Sequence, residues 1–393
     1  MLNKFTIPLG VILQFDDVGW DDGRDLRFWG KASRSGIPRN HALEDYQLLH
    51  EIGKGMKSKV LVALCLGDWD KDNVLRGVVG PTHDPHGWDR ASEIDIDKFT
   101  QYRDTLEGSD FVEYTIHGLL HGNYDENGKQ INETECFIAK KDEDGKTIKE
   151  LISEECFEEH LDLFDKIYDS WGFKQPLDIF ISPCGMGGST DELIDQVTKI
   201  LYKRGVRYWT NSGFPFDAPL KVYNGVVLTQ QRCRIPVRFK CPWNAYDINP
   251  ATFPDVMVEE KCMNGPMVAL HWTNILRFDP KRNFEQVEPW VNYFKGQNEI
   301  FGFMTAEGYR EAVNQLFHYW FGRASYENGK YVIDLSLVSK ENFEPLKKEF
   351  FVSFKKDVEP KAIDGGEISL YDTHNDFNTY KIVYTGDLVE IFI

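Results

Sequence analysis

Two adjacent carboxylates, Asp16 and Asp17, follow the apolar run 10–15. Paired acids at a strand end are costly unless neutralised. A cation held by one and a proton accepted by the other would use both. A solvated acidic turn is the alternative. His117 and His121, in His-Gly-Leu-Leu-His, follow another apolar run. At spacing i, i+4 on one face of a helical turn, both imidazoles reach one ion, and neutral imidazole suits Zn²⁺ and similar borderline ions. A pair of satisfied structural histidines is the alternative. His271 ends the run 266–271. There it can serve as a general acid near neutral pH, or as a hydrogen-bonded rim residue.

These residues need elements to carry them. Short runs rich in Val, Ile, Leu and aromatics predict strands over 10–15, 59–66, 111–116, 177–182, 206–210, 225–229, 266–271 and 300–305. Their length and continuous apolarity suit a buried parallel sheet. Amphipathic stretches over 41–52, 95–107, 153–171, 190–204, 284–294 and 307–321 predict the helices between them. Alternation over about 320 residues implies an α/β barrel or a doubly wound sheet. Three long stretches, 67–93, 123–144 and 230–256, follow predicted strands on the side where α/β sites form. Beyond residue 324 the turn pairs Asn328-Gly329, Gly365-Gly366 and Gly386-Asp387 alternate with strand-like runs. Residues 1–324 are therefore expected to form the α/β unit, and 325–393 a small β-sandwich-like module packed on it.

Composition narrows the partners. The 393 residues carry a formal charge of −18, which argues against nucleic acid and against a polybasic membrane surface. No 18-residue apolar segment or signal peptide is visible, so a soluble, cytoplasmic protein is expected, or a secreted one if the N-terminus was trimmed. The 27 Phe, 17 Tyr and 10 Trp require a substantial core and exclude disorder for most of the chain. The seven cysteines are scattered without a CxxC, so neither a disulfide framework nor a Cys-based zinc site is expected.

The order Asp-Asp, His-x-x-x-His, His resembles the polysaccharide deacetylase (NodB-homology) family of metal-dependent carbohydrate esterases, in a divergent form. The resemblance implies a distorted (β/α) barrel of about seven parallel strands. It implies Asp16 as catalytic base, Asp17, His117 and His121 as ligands of one divalent ion, and His271 as general acid. The ion would be Zn²⁺, with Co²⁺, Ni²⁺ or Mn²⁺ as substitutes, and the reaction the removal of an N- or O-acetyl group from a carbohydrate. Three positions depart from the family pattern. Gly118 stands where Ser or Thr is usual, Gly122 where Pro is usual, and Ile181 where an Arg steadies the base.

Trp20, Asp68, Trp243, Trp272 and Asn274 follow strands or lie in long loops and are candidate substrate contacts. Packing, or a loop-stabilising role for Asp68, is the alternative. Arg34, Arg39 and His41 form a polar patch before a helix, where capping is the plain reading. Two other functions compete: a carbohydrate-binding barrel that has lost activity, motivated by Ile181, and a metal-independent glycosidase using Asp17, Asp68 and Glu307.

Overall fold

A computed structural model describes residues 4–24, 35–216, 218, 220–231, 244–252 and 265–393. Among the described residues the central sheet has nine strands: β1 Gly10–Val18, β2 Val60–Cys65, β3 Val112–Gly118, β4 Ile179–Ile181, β5 Tyr208–Asn211, β6 Leu220–Tyr223, β7 Val226–Gln230, β8 Met267–His271 and β9 Met304–Thr305. Their order is β6-β7-β5-β4-β3-β2-β1-β8, with β9 also paired to β1. Only β6 is antiparallel. The other eight curl into a half-barrel. β1 to β5 lie side by side in chain order, and β8 returns to the far edge of β1. That is barrel winding, and it excludes the doubly wound alternative, in which strand order reverses about a switch point.

The sequence explains the sheet. Every residue of β1 and β2 is buried. Each enclosed Val, Leu, Ile or Phe stabilises the fold by roughly 1.5–3 kcal/mol. Helices cover the outside: α1 Leu43–Met56, α2 Ile96–Glu107, α3 Glu154–Ser170, α4 Asp191–Lys203, α5 Val287–Phe301 and α6 Tyr309–Phe321. α3 starts where the Ser153 side chain accepts the Cys156 N–H, and α4 where Thr190 accepts that of Leu193. α3 buries Phe157, His160, Leu161, Phe164, Ile167 and Tyr168, a stripe of helical period.

Two expectations are corrected. The run 300–305 is strand only at Met304–Thr305. Ile300 and Phe301 finish α5, and Gly302 stops it in the left-handed conformation. The stretch 123–144 is not a plain loop. It forms two small hairpins, Asn123–Tyr124 with Gln130–Asn132, and Phe137–Lys141 with Thr147–Leu151.

The C-terminal region holds two four-stranded antiparallel sheets. One pairs Arg323–Glu327, Lys330–Asp334, Leu388–Phe392 and Ala362–Asp364; the other includes Glu349–Lys355, Phe377–Tyr384 and Gly366–Thr373. The N-terminal strand Phe5–Thr6 joins the second sheet against Glu349–Lys355. α6 anchors it: Gln315 donates to the carbonyls of Pro8 and Phe351 and accepts the Phe351 N–H.

Candidate functional site

The site lies at the carboxyl ends of β1, β3, β4, β5 and β8, where barrel chemistry is carried. It depends on two interruptions of the ladder. Phe15 pairs with Val62 but Val18 with Leu64, so Asp16 and Asp17 oppose a single residue of β2. This bulge, with Asp17 at φ 64°, turns both carboxylates into one cleft. β1 thus runs through both aspartates instead of ending before them. A second shift lets Ile116 pair with Leu64 and Gly118 with Cys65, which bulges His117.

The histidine pair is not on a helix, contrary to the expectation from spacing. His117 belongs to β3, and the chain then bends sharply, with Gly118 at φ 132° and His121 at φ 46°. The bend is held by Glu135, whose Oε1 accepts the N–H groups of Leu119 (2.7 Å) and His121 (2.8 Å). A Cβ on Gly118 would lie 2.6 Å from the Glu135 carboxylate. The family's Ser or Thr is therefore excluded here by both φ and space.

The imidazoles converge on Asp17. Its Oδ1 is 3.4 Å from His117 Nε2 and 3.6 Å from His121 Nε2, and its Oδ2 is 3.8 Å from His271 Nε2. His117 Nδ1 donates to the Ile181 carbonyl at 2.8 Å. A carbonyl only accepts, so Nδ1 carries a hydrogen and Nε2 is the atom that faces Asp17, the nitrogen that would offer its lone pair to a cation in place of a proton. Among the described residues, no geometrically well-formed hydrogen bond reaches the buried Asp17 Oδ1. A buried carboxylate oxygen among imidazole nitrogens is a donor set that fits a borderline divalent cation.

The electrostatics point the same way. Burial alone would raise the Asp17 pKa, but His121, His117 and His271 together hold it well below the usual carboxylate range. Burial alone would lower His117, yet Asp17 and Asp16 lift it to about 9. The cleft is built to hold positive charge beside Asp17.

Asp16 is held by amides. Gln14 Nε2 donates to its Oδ1 and Gln231 Nε2 to its Oδ2 at 3.2 Å, while Gln231 also donates to Gln14 Oε1 at 2.7 Å. Ile181, where the family's Arg would stand, is buried in β4. His271 faces Asp16 in the β8–β1 ladder and is partly exposed. Ser182, Cys184, Gly185, Asn211 and Ser212 complete a small, mostly polar cleft of about 70 Å³. Asn211 fixes that rim, donating to the Ser182 and Cys184 carbonyls and accepting the Met186 and Ser212 N–H groups.

The remaining candidates lie elsewhere. Trp20 is about 1% exposed, and Trp272 and Asn274 are fully buried, so none offers a face to a sugar. Trp272 stacks on His41 at 3.9 Å, and Asn274 caps the turn after β8 by accepting the His271 N–H. Asp68 accepts the Asp21 N–H at 2.8 Å and lines a separate acidic cleft with Asp21, Asp22 and Arg90. Glu307 belongs to the opposite end of the sheet: its carbonyl accepts the Lys59 N–H before β2 starts, whereas Asp17 lies near Cys65 at the end of β2. Six strand residues span roughly 20 Å, too far for a glycosidase pair, which needs about 5–10 Å. Trp243 lies outside the described residues.

The sequence reading missed Gln14, Gln231 and Glu135, and it gave Cys65 no role at the site. Ligating atoms of Asp17, Cys65 and His117 all lie within 4.8 Å of one another. The available signals were Gln14 inside an apolar strand two residues before Asp16, and Cys65 at a strand end.

No family model matches the sequence, and no curated protein matches it. Among solved structures, a 4-alpha-glucanotransferase from Thermococcus litoralis aligns at 10% identity and a TM-score of 0.41, over 78% of this chain and 40% of the other. The chain thus spans less than half the length of that protein. A putative polysaccharide deacetylase from Mycobacterium smegmatis aligns at 11% identity and a TM-score of 0.40, over 76% of this chain and 86% of the other. Among the described residues, no helix is long and apolar enough to cross a membrane.

Proposed function

We propose that this chain is a metal-dependent hydrolase that removes N- or O-linked acetyl groups from a carbohydrate. The observation that carries the reading is the convergence of His117 and His121 on the buried Oδ1 of Asp17. Those three side chains would hold one divalent ion of the zinc class. Bound there, the ion would polarise the acyl carbonyl and make a water acidic enough to attack at neutral pH.

The rest is the work of this chain's own groups. Asp16, oriented by Gln14 and Gln231, takes the proton from the attacking water as its oxygen bonds to the acyl carbon. His271, across Asp17 and open to solvent, gives a proton to the departing nitrogen or oxygen as the carbon–nitrogen or carbon–oxygen bond breaks. Acetate and the free amine or alcohol result. The polar rim of Ser182, Asn211 and Ser212 suits a hydroxyl-rich substrate better than an apolar one.

The reading of a barrel without activity rests on Ile181 in place of an Arg. It loses force because two amides hold Asp16 instead. The test is acetate release from N-acetylated and O-acetylated oligosaccharides. The expected result is turnover that EDTA abolishes and Zn²⁺ restores. Glycan binding without acetate release would support the binding barrel, and EDTA-insensitive release of reducing sugar the glycosidase.

A further inference from the structure

A second group of donors lies behind the bend that carries His121. Cys156 and His160 are four residues apart on α3 and share a face. Cys136 approaches from the residue before the hairpin strand Phe137–Lys141. One ligating atom from each of the three lies within 4.8 Å of the others. Cys136 and His160 are buried and Cys156 is half-buried. The Cys136 thiol donates to the Cys156 carbonyl at 3.9 Å. Glu135 Oε2 stands 3.5 Å from His160 Nδ1, so a carboxylate oxygen flanks the group.

We propose that Cys136, Cys156 and His160 form a second, structural site for a thiophilic d¹⁰ cation of the zinc class, with Glu135 beside the His160 ring. Two sulfurs and one imidazole are the soft set that selects such an ion over Mg²⁺ or Ca²⁺. Binding releases the thiol protons to solvent and involves no change of oxidation state. The consequence is mechanical. The ion would pin the hairpin segment to α3 and fix Glu135, whose other oxygen holds the backbone of Leu119 and His121. The site is separate from the Asp17 centre and stands or falls independently of the proposed reaction. It runs counter to the sequence-based expectation of no Cys-based zinc site.

The test counts zinc in purified, dialysed protein. Wild type is expected to carry about two ions per chain, and Cys156→Ser, at the less buried thiol, about one. Far-ultraviolet circular dichroism establishes that the variant is folded, and His160→Gln provides a second, thiol-sparing loss of the same ion. Folded variants that both keep the wild-type zinc count would overturn the proposal. So would a Cys136–Cys156 disulfide in the purified protein with a zinc count unaffected by reduction. Asp17→Ala/His117→Ala reports the other centre: an unchanged count there, with one ion lost in Cys156→Ser, would leave this proposal standing and sink the first.

Discussion

Two buried histidine–aspartate groups in this protein use the same residue types to opposite ends. At the entrance to α1, Asp45 receives Arg39 Nη2 and Asn283 Nδ2 on Oδ1, and Arg39 Nη1, His41 Nδ1 and the Ala42 N–H on Oδ2. His41 is itself closed off by Ser35 at 2.8 Å. At the barrel mouth, Asp17 Oδ1 has imidazole nitrogens 3.4 and 3.6 Å away and, among the described residues, no well-formed hydrogen bond. Both carboxyl groups titrate low. Burial raises each, but His41 and Arg39 bring Asp45 to about 2, and three imidazoles hold Asp17 down. The difference lies in satisfaction. A capping network uses every lone pair, whereas the Asp17 group gathers imidazole nitrogens around a buried carboxylate oxygen, an arrangement a proton or a cation completes.

The comparison can be broken by exchanging its predictions. Asp17→Asn keeps the shape but removes the charge. Acetate release is expected to fall by more than about a thousandfold, several kcal/mol of transition-state stabilisation, with bound metal lost and the denaturation midpoint nearly unchanged once metal is removed from both proteins. Asp45→Ala should do the reverse. It leaves the buried His41 and Asn283 and the half-buried Arg39 without their carboxylate and should cost about 3 kcal/mol in urea unfolding while leaving metal content intact.

His318 sharpens the contrast, because it is a buried imidazole with no carboxylate partner. Its Nδ1 donates to the Asn314 carbonyl at 2.8 Å and its Nε2 meets the Tyr384 hydroxyl at 3.1 Å. Burial pushes its pKa down to about 4. The unfolded chain therefore binds a proton near pH 6.5 that the folded protein refuses. This contribution to stability is complete above pH 6.5 and is lost as pH falls towards 4, by about 3 kcal/mol in all. Unfolding free energies of wild type and His318→Gln should differ in pH slope across that window and run parallel above it. The smallest effect is expected at Gln231→Leu. With one of its two amide donors gone, Asp16 should lose orientation, lowering kcat about tenfold with bound metal retained.

Much of the frame was legible from residue pattern. Continuous apolar runs marked β1 to β5, and the amphipathic stretch 190–204 marked α4, because burial acts locally. The expected strand at 300–305 failed because an apolar stretch that short serves a helix end as well as a strand; Gly302 was the stop signal that separated them. The residues converging at the site were visible by type and order, but their geometry was not. Bulges at Asp16–Asp17 and at His117 are matters of register between strands, which a single sequence does not display. The i, i+4 histidines looked helical because the spacing is shared by a helix and by this tight bend; only Gly118, read with Glu135, distinguishes the two. Glu135 itself was hidden in a polar stretch because a carboxylate that caps backbone N–H groups leaves no periodic mark.

The central claim is that Asp17, His117 and His121 hold one divalent ion. Its most direct test is an anomalous difference map, recorded at the zinc edge, from crystals grown with Zn²⁺. The account predicts a peak about 2.0–2.2 Å from Asp17 Oδ1, His117 Nε2 and His121 Nε2. A map with no peak among those atoms, and direct imidazole–carboxylate hydrogen bonds in its place, would contradict it.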